Sequence, residues 1–170
     1  LAANLGQDPL AFRLGYLDEA RFIDVLEAFA ALLGWEKRGD SDGGDVGYGI
    51  ACGNDKGSYV ACCAEVEVGG NPRELKIRRV CVAYECGGIQ NPKNLLAQVE
   101  GGIVMGLGAV LRERMEFRDG KILNGRFSDY EVPRFVDVPP FEVVLLDRPD
   151  LESVGAGETP LIGIAPAVAN

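Results

Sequence analysis

Histidine is absent from the 170-residue sequence, and the 17 lysines and arginines are outnumbered by 26 aspartates and glutamates. Without imidazole, the chain offers no Ser-His-Asp or Cys-His nucleophilic site, no histidine base and no mixed-ligand zinc site. The formal net charge of −9 argues against nucleic-acid binding, which requires cationic side chains to neutralise phosphates. Acid–base chemistry therefore falls to carboxylate, lysine, tyrosine or cysteine groups, and proteins or small molecules are the expected partners.

Metal ligands are also scarce. The five cysteines are an odd number and lie mostly among valine and alanine, which favours buried thiols that behave as small apolar side chains. Cys81 and Cys86 have the spacing that opens a plant-type iron–sulfur loop, but Ile89 occupies the place of the third cysteine. The aspartates of the Arg38–Gly49 loop do not match an EF-hand, so a solvated turn is favoured over a calcium site. We predict no metal ligand in this chain.

Length and hydropathy predict one domain, since 18.2 kDa lies within the usual range for a single domain. The sequence begins at Leu1 without a methionine and stops inside a helix-like run of small residues, so we expect a single-domain fragment of a longer chain. Gly, Arg and Glu interrupt every apolar run before the roughly 18 residues needed to cross a bilayer, so no transmembrane segment is predicted. We divide the domain into a helical arm (1–37), a loop (38–47) and an α+β core (48–170).

The periodicity of apolar residues predicts an α+β domain, because strands and helices do not alternate regularly. Two amphipathic helices precede the strands and form the arm, and one long glycine-rich helix lies between strands of a mixed sheet. The predicted helices are one capped by Asp8 with Pro9 first, one ending at Gly34, a long helix from Asn91-Pro92 to Arg114 and a terminal helix at 165–170. The predicted strands begin at Tyr48 and continue with Tyr59–Val68, Leu75–Cys86 and Phe141–Leu146. Hairpin connections are predicted at Gly69–Pro72 and Asp119-Gly120.

The long central helix contains Gly101, Gly102, Gly106 and Gly108. Each glycine costs up to ~1 kcal/mol relative to alanine in a helix interior, so about 4 kcal/mol of helix propensity is lost. Gln98, Gly102 and Gly106 fall on one line at four-residue spacing, which makes a bare groove with an amide at its N-terminal end. Two interpretations stay open: another part of the backbone packs in the groove, or a ligand lies there and Gln98 holds it.

A second candidate site is the segment Gly155-Ala156-Gly157-Glu158. Thr159-Pro160 follows as a predicted helix cap and first turn, so Glu158 is expected just before a helix N-terminus. The helix dipole stabilises an ionised carboxylate there by roughly 0.3–1 kcal/mol, and an ionised carboxylate on a tight loop suits a general base. A purely structural role is the alternative interpretation. The residues by themselves define two marked positions and no reaction.

Five ordered motifs give the sequence a recognisable pattern. The chain resembles the C-terminal part of the molybdenum-binding large subunit of the xanthine dehydrogenase and aldehyde oxidase family, and is most similar to the beta subunit of the bacterial isoquinoline oxidoreductase type. The resemblance covers nearly the whole chain and is weakest at 38–56. The motifs are Cys86-Gly87-Gly88-Ile89-Gln90-Asn91-Pro92, the glycine-rich stretch Gln98–Gly108, Phe127-Ser128-Asp129-Tyr130, Gly155-Ala156-Gly157-Glu158 and Ile164–Asn170.

This resemblance implies the fold of a molybdenum cofactor-binding domain and a role for each marked residue. It implies that Glu158 is the catalytic base, which takes a proton from a molybdenum-bound hydroxide while an aldehyde or N-heterocycle is oxidised with oxygen derived from water. It implies that Gln98 hydrogen-bonds a molybdopterin cofactor, with Gly101, Gly102 and Gly157 on the cofactor side. Metal ligation by the cofactor itself agrees with the absence of histidine.

The resemblance also implies partners that are not in this sequence. These are the remainder of the molybdenum-binding subunit and an iron–sulfur subunit or domain, with the cofactor in its cytosine dinucleotide form. We expect the fragment alone to be inactive and to bind no molybdenum. The alternative is a non-catalytic interaction or scaffold domain that retains the fold. Compartment is not assigned, because related large subunits occur on either side of the bacterial inner membrane.

Overall fold

The computed structural model describes residues 1–37, 46–70 and 75–170. Most of the predicted 38–47 loop and Asn71-Pro72 of the first predicted hairpin connection lie outside these residues. The first strand begins at Val46, two residues before the predicted start of the core. The elements are α1 (Pro9–Leu14), α2 (Ala20–Leu33), β1 (Val46–Asp55), β2 (Ser58–Val68), β3 (Leu75–Glu85), α3 (Pro92–Leu111), β4 (Phe117–Arg118), β5 (Lys121–Ile122), β6 (Phe141–Leu146) and α4 (Ile164–Ala169).

Four strands form a mixed sheet in the order β1-β2-β3-β6. β2 pairs antiparallel with both β1 and β3, and β6 pairs parallel to β3. Lys56 and Gly57 join β1 to β2 with φ of 50° and 84°, the left-handed conformation that a two-residue hairpin needs to match strand twist. The predicted α+β class and mixed sheet are confirmed.

One face of the sheet is covered by α3 and α4. Alternate residues of the two central strands, including Val82 and Tyr84, pack there against the apolar stripe of α3. Val99, Ile103 and Leu107 of that stripe are completely buried, as their four-residue spacing predicts. The same strands send their intervening residues to the opposite face, so β2 and β3 are buried on both sides.

The opposite face is covered by α2. Val25, Leu26 and Phe29 of this helix are completely buried against the sheet. Both predicted helix boundaries are confirmed here: Asp8 Oδ1 accepts hydrogen bonds from the backbone amides of residues 10 and 11 at the start of α1, and Gly34 ends α2. The N-terminal segment that the sequence suggested was an arm is therefore a packed layer of the domain.

Helix α3 ends at Leu111, three residues before the predicted end. The backbone turns at Arg112, whose guanidinium pairs with Glu131 at 3.3 Å and with Asp137 at 2.7 Å. By length and composition α3 could cross a membrane, which differs from the prediction that Gly, Arg and Glu interrupt every apolar run before about 18 residues. A core helix of a globular domain meets the same criterion, and α3 packs its apolar stripe on the sheet.

Candidate functional site

The two regions marked by the sequence lie side by side at the N-terminal half of α3. The side-chain amide of Gln98 donates a hydrogen bond to the carbonyl oxygen of Gly157, with 2.6 Å between Nε2 and O. Gln98, Gly101, Gly157 and Glu158 are all exposed there. The fold thus brings together residues that are about 60 positions apart in the chain.

Buried hydroxyl groups hold the glycine loop from beneath. Ser58 Oγ is completely buried and lies 3.2 Å from the carbonyl oxygen of Gly155 and 3.2 Å from Thr159 Oγ1. The Tyr84 hydroxyl donates a longer hydrogen bond, 3.4 Å, to the same Gly155 carbonyl, and burial raises the pKa of the Tyr84 phenol. These contacts anchor both ends of the loop that carries Glu158 to the β1–β2 turn and to β3.

The surroundings of Glu158 differ from the prediction. Thr159 does not cap a helix: Thr159–Leu161 is a single 3₁₀ turn, and α4 begins only at Ile164. The prediction that a helix dipole stabilises the Glu158 carboxylate is wrong, because a single turn has too few aligned peptide dipoles. Glu158 is exposed, and its carboxylate makes no hydrogen bond or ion pair with any residue in the described part of the chain.

Two glycines of the predicted groove are packed by the protein's own chain. A Cβ on Gly102 would lie 3.0 Å from Pro160 Cβ, and a Cβ on Gly106 would lie 2.7 Å from Ile164 Cβ. At Gly102 and Gly106 the groove is therefore filled by the protein's own chain, through the side chains of Pro160 and Ile164. Gly102 is buried beneath Pro160, and its contact with a cofactor stays a prediction.

Three other glycines have no such internal reason. A Cβ on Gly101, Gly155 or Gly157 would meet nothing within 4 Å among the described residues, and none of the three has a positive φ. Gly101 lies within α3, where glycine costs up to ~1 kcal/mol relative to alanine. Gly101, Gly155 and Gly157 leave bare backbone near Gln98, and Gly101 is the one of the three whose helix cost is not explained by packing among the described residues.

Sequence reasoning missed the polar groups that fix the neighbouring Cys86–Pro92 motif. Glu85 is completely buried and accepts hydrogen bonds from the Arg21 guanidinium and from the backbone amide of Gly87. The hydrogen bond to Glu85 is the main cause that raises the pKa of Arg21, and the Arg21 guanidinium also lies 4.3 Å from the centre of the Tyr59 ring. Two features of the sequence could have indicated these groups: Glu85 is an acidic residue at the end of an apolar strand, and Ser58 is a polar residue at the start of another.

No group of three or more cysteine, aspartate and glutamate side chains could hold a metal among residues 1–37, 46–70 and 75–170. Cys62, Cys63, Cys81 and Cys86 are buried as predicted, and Cys52 is half-buried. Burial raises the pKa of Cys81 to about 11, so this side chain is a protonated thiol at neutral pH.

The chain is similar to molybdenum enzymes in sequence and structure. It is 32% identical over 171 residues to the beta subunit of isoquinoline 1-oxidoreductase from Brevundimonas diminuta, covering 100% of this chain and 22% of that protein. It is 37% identical over 113 residues to the aldehyde oxidoreductase molybdenum-binding subunit PaoC of Escherichia coli strain K12, covering 62% of this chain and 15% of PaoC.

A solved structure shows the same fold. Quinoline 2-oxidoreductase from Pseudomonas putida 86 superposes with a TM-score of 0.59 and 26% identity, covering 65% of this chain and 15% of that chain. The chain spans less than a quarter of the length of these relatives.

A family model described as the molybdopterin cofactor-binding domain matches residues 40–139, more than half of the chain. That range includes the sheet strands β1 to β3 and all of α3, the helix that presents Gln98. The resemblance found in the motifs is thereby confirmed: this chain belongs to the molybdopterin cofactor-binding domain family and has the α+β fold of the molybdenum cofactor-binding domain of xanthine dehydrogenase-type enzymes.

Proposed function

We propose that this chain is the part of a molybdenum hydroxylase subunit that supplies the catalytic base, Glu158, and one wall of the cofactor site. The observation that supports this most is the bare surface formed by Gly101, Gly155 and Gly157 next to Gln98. A cofactor could approach the backbone closely there, because glycine has no side chain to keep it at a distance.

The residues present fit a molybdopterin cofactor. Gln98 has one amide hydrogen committed to the Gly157 carbonyl, and its amide retains a second hydrogen and an acceptor oxygen for a pterin edge. Gly101 and Gly157 flank that amide without side chains, and Gly102, which is buried beneath Pro160, is the next residue of the same helix. When bound, the cofactor supplies a two-electron redox centre.

Glu158 suits the role of proton acceptor for two reasons. Its carboxylate is exposed and is not engaged with any residue that the structure describes, so proton transfer breaks no ion pair. Its loop is fixed by the buried Ser58 and Thr159 hydroxyls, so the backbone that carries the carboxylate is held at a defined position. A fixed loop lowers the reorganisation required when the proton moves.

The substrate class follows the resemblance and the names of the relatives, which act on isoquinoline, quinoline and aldehydes. We propose an aldehyde or an N-heterocyclic aromatic compound, oxidised at carbon with oxygen derived from water. We further propose the cytosine dinucleotide form of the cofactor and an iron–sulfur partner subunit or domain that receives the electrons.

The chain on its own is proposed to be inactive. Gln98, Gly101, Gly157 and Glu158 all lie on an exposed surface, and a site that excludes water requires a second wall. The chain spans 22% of the isoquinoline 1-oxidoreductase subunit, so such a wall belongs to the remainder. We expect the purified chain to contain no stoichiometric molybdenum by elemental analysis and to show no turnover.

The deciding experiment replaces Glu158 in the complete subunit with its iron–sulfur partner. Glu158→Gln should lower kcat by about 10²- to 10⁴-fold, since a general base contributes roughly that factor. Molybdenum content should stay at the parental level, because only the proton acceptor is removed. Glu152→Gln is the matched control, an exposed glutamate six residues away, and should leave kcat unchanged.

Equal kcat for Glu158→Gln and the parent would remove Glu158 from the reaction. Full molybdenum occupancy without turnover in the parent enzyme, for every aldehyde and N-heterocycle tested, would favour the non-catalytic scaffold instead.

A further inference from the structure

The chain between α3 and β6 contains a repeated motif that places two phenylalanines in solvent. Arg126-Phe127-Ser128-Asp129 and Arg134-Phe135-Val136-Asp137 are eight residues apart, and each forms a 3₁₀ turn. Phe127 is 100% exposed and Phe135 is 101% exposed. We call residues 126–138 the phenylalanine turns.

Each turn is locked by its own hydrogen bonds. The Asp129 side chain accepts from the backbone amide of Arg126 at 3.2 Å, and the Asp137 side chain accepts from that of Arg134 at 2.9 Å. Pro133, between the turns, lies 3.0 Å from the position of a Cβ on Gly108, so the segment is anchored on α3. The phenylalanines are therefore held outward by a rigid local structure and cannot fold back cheaply.

The charges of this region compensate one another. Residues 112–138 contain six cationic and six anionic side chains, so their sum is zero in a chain of net charge −9. Arg112 pairs with Glu131 and Asp137, and the Tyr130 hydroxyl donates to Glu113 at 2.7 Å. Neutralised polar groups around rigid, exposed aromatic side chains are typical of a surface that another protein surface covers.

A second copy of this chain or the remaining polypeptide of the same subunit could cover this surface. A second copy of the chain would bring another net charge of −9 close by, which opposes association. The remaining polypeptide of the same subunit needs no such encounter, and this chain spans only 22% of a relative's length. Exposed phenylalanines that are fixed in place, on a surface whose charges compensate one another, also suit a permanent interface better than a transient one.

We propose that the phenylalanine turns dock onto the remainder of the molybdenum-binding subunit, with Phe127 and Phe135 as the anchors. This inference rests on the proposed function, because it requires that the chain is part of such a subunit. The contact joins the end of α3 to the rest of the subunit, and α3 also carries Gln98, so docking at one end fixes the cofactor wall at the other.

The test measures thiol accessibility in the complete subunit without its iron–sulfur partner. Phe127→Cys and Phe135→Cys are treated with a maleimide, and labelling at each position is read by peptide mass spectrometry. Glu27→Cys is the control, because Glu27 is exposed on α2, the layer on the opposite face of the sheet. Positions 127 and 135 should label at least about 10-fold more slowly than position 27, and urea should abolish the difference, since buried thiols react only after opening.

Three results would overturn the proposal. Labelling at 127 and 135 as fast as at 27 would show an uncovered surface. Protection that increases with protein concentration would assign the surface to a second copy, and protection that appears only after the iron–sulfur subunit is added would assign it to that partner. If the variants do not fold, hydrogen exchange of the unsubstituted subunit measures the protection of the backbone amides in the same segment, and rapid exchange throughout 126–138 would equally overturn the proposal.

Failure here is distinct from failure of the proposed function. Labelling does not require turnover, and the kcat of Glu158→Gln does not depend on access to residues 127 and 135.

Discussion

The glycines of α3 and of the loop beside it fall into two groups, those that the protein's own chain packs against and those that face open space. Gly102 and Gly106 lie beneath Pro160 and Ile164, so their missing side chains allow the C-terminal segment to approach the helix. Gly101 and Gly157 face open space, where a side chain would fit without contact. Because glycine in a helix is destabilising, packing within the domain explains the first group, whereas Gly101, the helical member of the second group, has no such explanation among the described residues.

The largest effect is expected at a packed glycine outside the helix. Gly87 has φ of 77°, and a Cβ there would overlap the carbonyl oxygen of Glu152. Gly87→Ala should lower the free energy of unfolding by about 3 kcal/mol, since left-handed strain and overpacking add. Urea unfolding of the 170-residue chain measures this value, and an unchanged midpoint would show that the loop moves aside without cost.

A packed glycine within α3 should give the next effect. Gly106→Ala places a Cβ 2.7 Å from Ile164 Cβ, close to the backbone of α4, which cannot rotate away. The gain in helix propensity of ~1 kcal/mol offsets part of an overpacking cost of roughly 1–3 kcal/mol. We expect a net loss of about 1 kcal/mol by thermal unfolding, and a stabilised variant would mean that the groove is not tightly filled.

The support under the open glycines can be weakened without touching them. Ser58→Ala removes a completely buried hydroxyl that contacts the Gly155 carbonyl and Thr159. Unfolding should become easier by about 1–2 kcal/mol, because buried polar partners are left unsatisfied. In the complete enzyme, kcat should fall while KM for substrate stays the same, because the loop holds the base and not the substrate. Asn4→Ala, at an exposed polar residue of the N-terminal segment, is the control and should change neither quantity.

The smallest effect has the opposite sign. Gly101→Ala should stabilise the chain by about 0.5–1 kcal/mol, because the new methyl group meets nothing and the helix gains propensity. Ala97→Gly, one turn earlier on the exposed side, should destabilise by a similar amount and calibrates the scale. In the complete subunit, Gly101→Ala should reduce molybdenum content despite the higher stability. Stabilisation with full molybdenum content would leave the open glycines unexplained.

Sequence reasoning predicted the elements that depend on local signals. The Asp8 cap, the end of α2 at Gly34, the Asn91-Pro92 start of α3 and the strand Phe141–Leu146 are confirmed, because capping and periodicity are encoded within a few residues. The end of α3 was misplaced, because the pairing of Arg112 with Glu131 and Asp137 joins residues that no local pattern connects.

The candidate site was predictable only in part. Gln98 and Glu158 stood out through their glycine neighbours and the resemblance, but their roles remain proposals. The buried network of Ser58, Tyr84 and Thr159 was not predictable, since each of these residues is common in ordinary strands and turns. The predicted dipole at Glu158 failed because a short 3₁₀ turn and an α-helix begin with the same Thr-Pro signal.

The sequence by itself determined which residues are small, which are apolar at helix or strand spacing, and which motifs the chain shares with molybdenum enzymes, since these depend only on order along the chain. Tertiary structure decided which glycines are filled and which are bare, because that depends on whether a distant segment such as Pro160–Ile164 reaches them. It also decided that the amide of Gln98 meets the loop of Glu158, a contact that exists only once β2, β3 and α3 are packed.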